Sequence, residues 1–411
     1  MRAPSPRRRR AAPLLGAAAA ALLLTACSST QVNVPWLHFS VAGSEATPEP
    51  SAEALATPPA DRSTPDAGAP TIEQFIPVAE SFVAEHRGHA FKTPVQVTLL
   101  DDAAFRRKLL GDTGGGTAIA DASKELKALH LIAQGVDLNS ASDDLLGAGV
   151  SGFYDPKAKA LYVRGVSATP YVRQVLVHEL THALQDQYFS IDRPNLDKAD
   201  DEQAAAFQAV VEGDAVRIED EYHAAMSASE QDEADREEQS QAGGIPGSVP
   251  PVLIEMLTFP YIAGPRFVDA LDHAGGNPEV DQAFLHPPVS SEQILDVNAY
   301  LAGRQPRTVP VPHADGTPFD HGVNGEFGLI LLFEAAGDTP NQARSAADLW
   351  GGDEYVAWNH GSGACVRMAV IADRAADQAD LDSALGDYAH SVGASFTASR
   401  GGAPSVLTAC G

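Results

Sequence analysis

One uninterrupted stretch, YVRQVLVHELTHALQDQY at residues 171–188, constrains this chain more than any other feature. Thr169 and Pro170 stand in front of it. A threonine oxygen can accept from the orphan N–H groups of a first helical turn, and proline fits there because its missing N–H has no helical partner to lose. With no breaker inside, the pattern predicts one helix from 169 to about 188. Val175, Leu176, Val177, Leu180, Thr181, Ala183 and Leu184 are all uncharged, so that helix has to cross a core. His178 and His182, four apart, project from the same face and can reach one ion, while Glu179 lies beside the place a water on that ion would take. Such a constellation points to Zn2+, with His178 and His182 as ligands and Glu179 as general base.

Zinc needs a third protein ligand. Gln185 and Tyr188 stand where a metzincin has glycine and histidine, which excludes that class. Residues 204–222 (AAAFQAVVEGDAVRIEDEY) read as a second helix, with Glu212 in its middle between Val211 and Gly213. A glutamate on the helix after the motif completes a His, His, Glu site in gluzincins. Glu212 is therefore the leading third ligand; Glu202, Asp214 and Glu219 remain alternatives. Small residues beside it, Gly213 and Ala215, allow close helix approach. Asp214 is also a candidate to orient a ligand histidine from behind.

The segments GFYDP, LYV, VLVHELTHALQDQYF and AVVEGDA together resemble the gluzincin-type metallopeptidases found as secreted or lipid-anchored bacterial proteins. PPVSSEQIL at 287–295 and WGGDEY at 350–355 are similar to downstream landmarks of that group, so the resemblance covers most of residues 71–390. Asp296-Val297 departs from the His-Pro common in relatives, and no role is carried onto it. The resemblance implies an α+β zincin-like fold and hydrolysis of peptide bonds in a peptide or protein substrate, without naming which.

The N-terminus reads as an address. Arg2 and Arg7 to Arg10 precede sixteen mostly small or apolar residues, too few for a membrane span of about 18–20. Leu24-Thr25-Ala26-Cys27 resembles a bacterial lipobox, which makes 1–26 a signal peptide and Cys27 a lipidation site. The plain alternative is an ordinary secretory signal. Residues 44–70, rich in Ala, Pro, Ser, Thr and acids, have little to bury and read as a tether, or as a pro-segment. The expected protein is exported and held at the outer face of the cell membrane by its lipid. Its net charge of -27, from 28 basic and 55 acidic residues, excludes nucleic acid as a partner. In that compartment Cys365 and Cys410 can bridge, closing a loop of about 44 residues worth roughly 3–4 kcal/mol in the chain-entropy model.

Helical spacing is expected over 72–86 with Gly88 as its stop, a strand over 94–100, a short helix from Asp101 or Asp102 to 110, and a helix over 122–134. Residues 150–154 and 160–164 flank Asp155-Pro156-Lys157 and predict a hairpin above the zinc helix. Its strand at 161–163 is expected to expose an edge to an extended substrate. The acidic run 228–240 reads as a solvated helix end or loop, and 243–251 as a boundary. The catalytic domain is thus expected over 71–242 and a mainly helical part over 243–411, with helices at 252–258, 262–274, 291–301 and 322–336. The last 55 residues read as strand, helix, strand. Tyr222, His223, Tyr261 and His286 are unranked candidates for an oxyanion partner. A binding or envelope-assembly lipoprotein without turnover, and an amidase of cell-wall peptide crosslinks, are the competing functions.

Overall fold

The computed structural model describes residues 70–111, 116–147, 151–193, 201–242 and 247–411. Cys27, the signal segment, the tether up to residue 69 and most of the glycine loop near 112–115 lie outside the described residues. The architecture is α+β, with two small sheets.

Helix α1 (Ile72–Arg87) starts at a capping box between Thr71 and Gln74 and stops at Gly88, whose φ of 68° suits glycine. Ile72, Phe75, Ala79 and Val83 form its buried stripe. Strand β1 (Gln96–Leu100) leads to α2 (Asp102–Gly111), which Asp101 caps through Ala104 N (2.7 Å). Next come α3 (Gly116–Ala128) and α4 (Leu138–Gly147). The helix expected at 122–134 begins earlier and ends at 128, where the chain reverses through His130 at positive φ.

The hairpin forms as β2 (Gly152–Asp155) and β3 (Ala160–Arg164). The sheet order is β1-β3-β2, with β3 parallel to β1 and antiparallel to β2. This overturns the expected exposed strand at 161–163. Leu161 and Val163 are buried in the central strand and both of its edges are paired, so the unpaired edges belong to β1 and β2, and that of β2 lies beside Glu179. Sequence alternation cannot say which strand of a hairpin meets a third strand arriving from 60 residues upstream.

Helix α5 (Pro170–Phe189) carries the His-Glu-x-x-His motif and is buried along nearly its whole length. Helix α6 (Asp201–Ala225) crosses it, and α7 (Ala228–Ala242) buries Ala234 and ties to α5 through Arg173 and Glu230 (2.7 Å). The acidic run is thus a docked helix with a charged outer face. Helix α8 (Pro251–Gly275) is continuous where two helices were expected, with Pro260 and Pro265 inside it. Each proline forfeits one helical hydrogen bond, but α8 is clamped onto α6 where Gly213 and Gly264 meet backbone to backbone. A Cβ on either glycine would fall inside the other helix's main chain. Packing at that crossing overrides the local preference to break.

Helices α9 (Asn277–Leu285), α10 (Ser291–Leu295) and α11 (Val297–Leu301) follow, the last two split at Asp296, which caps α11. The C-terminal part is less helical than expected. Strands β4 (Pro318–Gly322), β5 (Trp350–His360), β6 (Gly363–Ala372), β7 (Ser395–Thr397) and β8 (Ser405–Cys410) form an antiparallel sheet in the order β4-β5-β6-β8-β7. Helices α12 (Gly325–Ala335), α13 (Pro340–Ala347) and α14 (Gln378–Val392), joined by Ala128 and Leu129 from the end of α3, cover it. Cys365 and Cys410 sit opposite each other on β6 and β8 and are disulfide-bonded.

The two downstream landmarks prove architectural. Ser291 donates its hydroxyl to Glu202 near the start of α6 (2.6 Å) and accepts from Phe327 N (2.9 Å). Asp353 receives Asn324 N and Gly325 N at the head of α12 and the Trp350 indole N–H (2.8 Å). The core around α5 draws on residues from Ile72 to Ile294, so it spans the sequence boundary at 243.

Candidate metal centre

The site is assembled by the α5–α6 crossing. Four residues of helix place His178 and His182 one above the other, and their rings lie 4.6 Å apart at 81°. Glu212 comes from α6 with its Oε2 at 3.2 Å from both Nε2 atoms. These three residues are the group among the described residues whose ligand atoms converge as a metal site would require, all within 4.8 Å of one another.

Each ligand is held from behind. His178 Nδ1 meets Glu219 Oε2 at 2.9 Å, His182 Nδ1 meets Gln185 Oε1 at 3.0 Å, and Gln208 donates to Glu212 Oε1 at 2.7 Å. An acceptor behind each Nδ1 favours a proton there, which makes Nε2 the nitrogen each ring would offer to a metal. Gln185 is anchored in turn by donating to Val211 O (3.0 Å) and Asp214 Oδ2 (2.9 Å). Asp214 accepts from Arg87 Nε (2.8 Å) and Arg217 (3.1 Å).

The alternatives for third ligand are thereby sorted. Glu219 serves the far side of His178, Glu202 binds Ser291, and Asp214 reaches His182 only through Gln185. Of the four oxyanion candidates, Tyr261 of α8 is at the site, its ring nearly parallel to that of His178 at 6.3 Å and its hydroxyl bonded to Glu212. Tyr222 packs on Phe75 and Phe82, His223 pairs with Asp235, and His286 ends α9.

Glu179 lies on the same helix, fully buried. Its Oε2 accepts from Tyr154 N at 2.6 Å, and Tyr154 N belongs to the unpaired edge of β2. The Tyr154 hydroxyl donates to Asp186 (2.7 Å), which fastens the hairpin to α5. Glu179 Oε1 has no hydrogen-bond partner among the described residues.

The electrostatics call for a cation. Burial acts to raise the Glu212 carboxyl, but the charges of and bonds from His182 and His178 hold it down at about 2. Burial acts to lower His178, yet its bonds to Glu212 and Glu219 carry it up to about 9. Burial and the neighbouring charge of Glu212 push Glu179 well above the usual carboxylate range, against the pull of the Tyr154 N–H. Glu179, Glu212 and Glu219 thus set three buried carboxylates around two imidazoles, a donor set whose negative charge a bound cation would balance. Two imidazole nitrogens and one carboxylate oxygen, each oriented by a further acceptor or donor, are a donor set that could hold a metal ion.

Glu219, Gln185 and Gln208 were not assigned these roles from the sequence. The one signal for them is spacing, since Gln185 follows His182 by three, Gln208 precedes Glu212 by four and Glu219 follows it by seven. No known protein family, curated protein or solved structure matches this chain.

Proposed function

We propose that this chain is a gluzincin-like zinc peptidase, exported and held at the cell membrane through Cys27. The observation that carries this reading is Glu179, a buried carboxylate beside the His178, His182, Glu212 cluster, with one oxygen fixed by Tyr154 N and the other unpartnered. Zinc held by those three residues would polarise a scissile carbonyl and acidify a water. Glu179 Oε1 takes the proton of that water and returns it to the leaving amine. The Tyr261 hydroxyl, freed from Glu212, is the donor for the developing oxyanion. The β2 edge, not β3, is the backbone beside which an extended peptide would run.

A second reading, a zinc-clamped scaffold without turnover, is favoured by one fact: His178, Glu179 and Glu212 are each 0% exposed. Incubation of the full-length protein with a diverse peptide library, with and without chelator, separates the two. In the peptidase reading cleavage stops on chelation, and Glu179→Gln keeps about one zinc per chain while turnover falls roughly 10² to 10⁴-fold. Undiminished cleavage by Glu179→Gln defeats the mechanism, and zinc without cleavage in the native protein leaves the scaffold.

A further inference from the structure

His182 differs from His178 in what stands behind it. His178 Nδ1 meets a carboxylate, Glu219, whereas His182 Nδ1 meets Gln185, an amide with an acceptor at one end and donors at the other. Turned over, Gln185 would aim its NH2 at Nδ1 and drive the ring proton to Nε2, the nitrogen that has to be bare to bind a metal. Two acceptors oppose that turn: Val211 O and Asp214 Oδ2 lie 3.0 and 2.9 Å from Gln185 Nε2, and each would repel the amide oxygen. Val211 O is main chain of α6 and is fixed by its helix. Asp214 Oδ2 is a side-chain atom and has to be held.

Arg87, the last residue of α1, holds it, since its Nε donates to that same oxygen at 2.8 Å. The rest of the guanidinium is spread over Asn277 Oδ1 (3.0 Å) and Asp281 Oδ1 (2.8 Å) of α9, so its plane is fixed at three points. Arg217 takes the other oxygen of Asp214, Oδ1, at 3.1 Å and shares Asn277. Arg87 and Gln185 are each 1% exposed and Asp214 0%, so bulk water does not stand in for a lost partner. We propose that Arg87 is a positioning residue of the metal centre: by pinning Asp214 Oδ2 it locks the Gln185 amide, and through it the proton on Nδ1 of His182. The direction of each link follows from what the groups can do, because a guanidinium only donates and both Asp214 oxygens therefore accept. The proposal rests on reading His178, His182 and Glu212 as ligands, and not on hydrolysis.

Zinc affinity by chelator competition, in a cycle of Arg87→Met and Gln185→Met on the full-length protein, tests the relay. Arg87→Met should weaken zinc binding about tenfold in the native background and not at all once Gln185 is replaced, while the melting temperature falls in both. The same loss of affinity in both backgrounds marks a role in packing alone and overturns the proposal, as does no loss in the native background. Arg87→Lys, one ammonium in place of the fork, should lose less and carries the same comparison where Arg87→Met does not fold. The metal-free protein, nitrogen-labelled at histidine, gives a second readout by NMR. The Nδ1–H signals of His178 and His182 should both be present in the native protein, and Arg87→Met should lose that of His182 alone. Native protein that takes up no zinc defeats the metal reading, and those two signals still decide the relay: retention of the His182 signal in Arg87→Met, or loss of both, overturns it.

Discussion

Each of His178, His182 and Glu212, the proposed ligands, is held by a neighbour outside the cluster: Glu219, Gln185 and Gln208. His182 is the clearest case, because a neutral amide, Gln185, stands behind its Nδ1, whereas His178 has the carboxylate of Glu219. Gln185→Met keeps the bulk but removes the acceptor, freeing the ring to turn and to choose the wrong tautomer. Zinc affinity measured by chelator competition should fall about 10 to 100-fold. Glu212→Gln, which exchanges a charged ligand for a neutral one, should lower affinity further and lower activity with it. Unchanged affinity in Gln185→Met would mean that the ring is held by packing alone. His178 and His182 were legible because helical periodicity fixes their common face, and Glu179 because it directly follows the first of them. Gln185 and Glu219 were not, since spacing alone does not say which of several polar residues on two helices will meet.

At the scale of elements the controlling contact is the α6–α8 crossing. Gly213 follows the third ligand by one residue, and Gly264 follows Tyr261 by three, so the approach of these helices sets both. Gly264→Ala would drive a methyl into Ala209 O, and the helices must part. A loss of at least about 3 kcal/mol is expected, read as a lower melting temperature, together with weaker zinc binding. A variant as stable as the native protein would show that α8 can shift without harm. The prolines of α8 carried the local message of a break, and Gly213 of α6 that of close helix approach. Their actual meaning is one long helix seated on another, which no window of a single helix reveals.

Taken whole, the molecule stores buried and half-buried carboxyls whose protons favour the folded state. Glu334 is carried up to about 8 by burial and by its hydrogen bond with Glu255, and Glu326 also to about 8 by burial. A folded pKa above the unfolded value of about 4.5 means stability that is complete in acid and is lost as pH rises from about 4.5 through 8. Glu334→Gln cannot ionise, so its melting temperature should match the native protein near pH 5 and exceed it near pH 8.5. Parallel curves for the two proteins would remove Glu334 from the account. The proposed anchor belongs to this scale as well: Cys27→Ser should move the protein from the membrane fraction to the medium, and unchanged membrane association would count against the lipid. Among the described residues no helix is long and apolar enough to cross a membrane in its place.

The sequence by itself determined what rests on local periodicity and on residue chemistry. The motif helix with its Thr169 cap, the hairpin around Asp155, the stop at Gly88 and the shared face of His178 and His182 are all of that kind. Only the tertiary structure decided which hairpin strand is central, that α8 runs through its prolines, and that a five-stranded sheet occupies the C-terminal part. It alone divided Glu202, Asp214 and Glu219 among three structural tasks. Strand partners, helix crossings and buried polar pairs are contacts between residues far apart in the chain. Their energies depend on what arrives from elsewhere, and a local pattern does not contain that information.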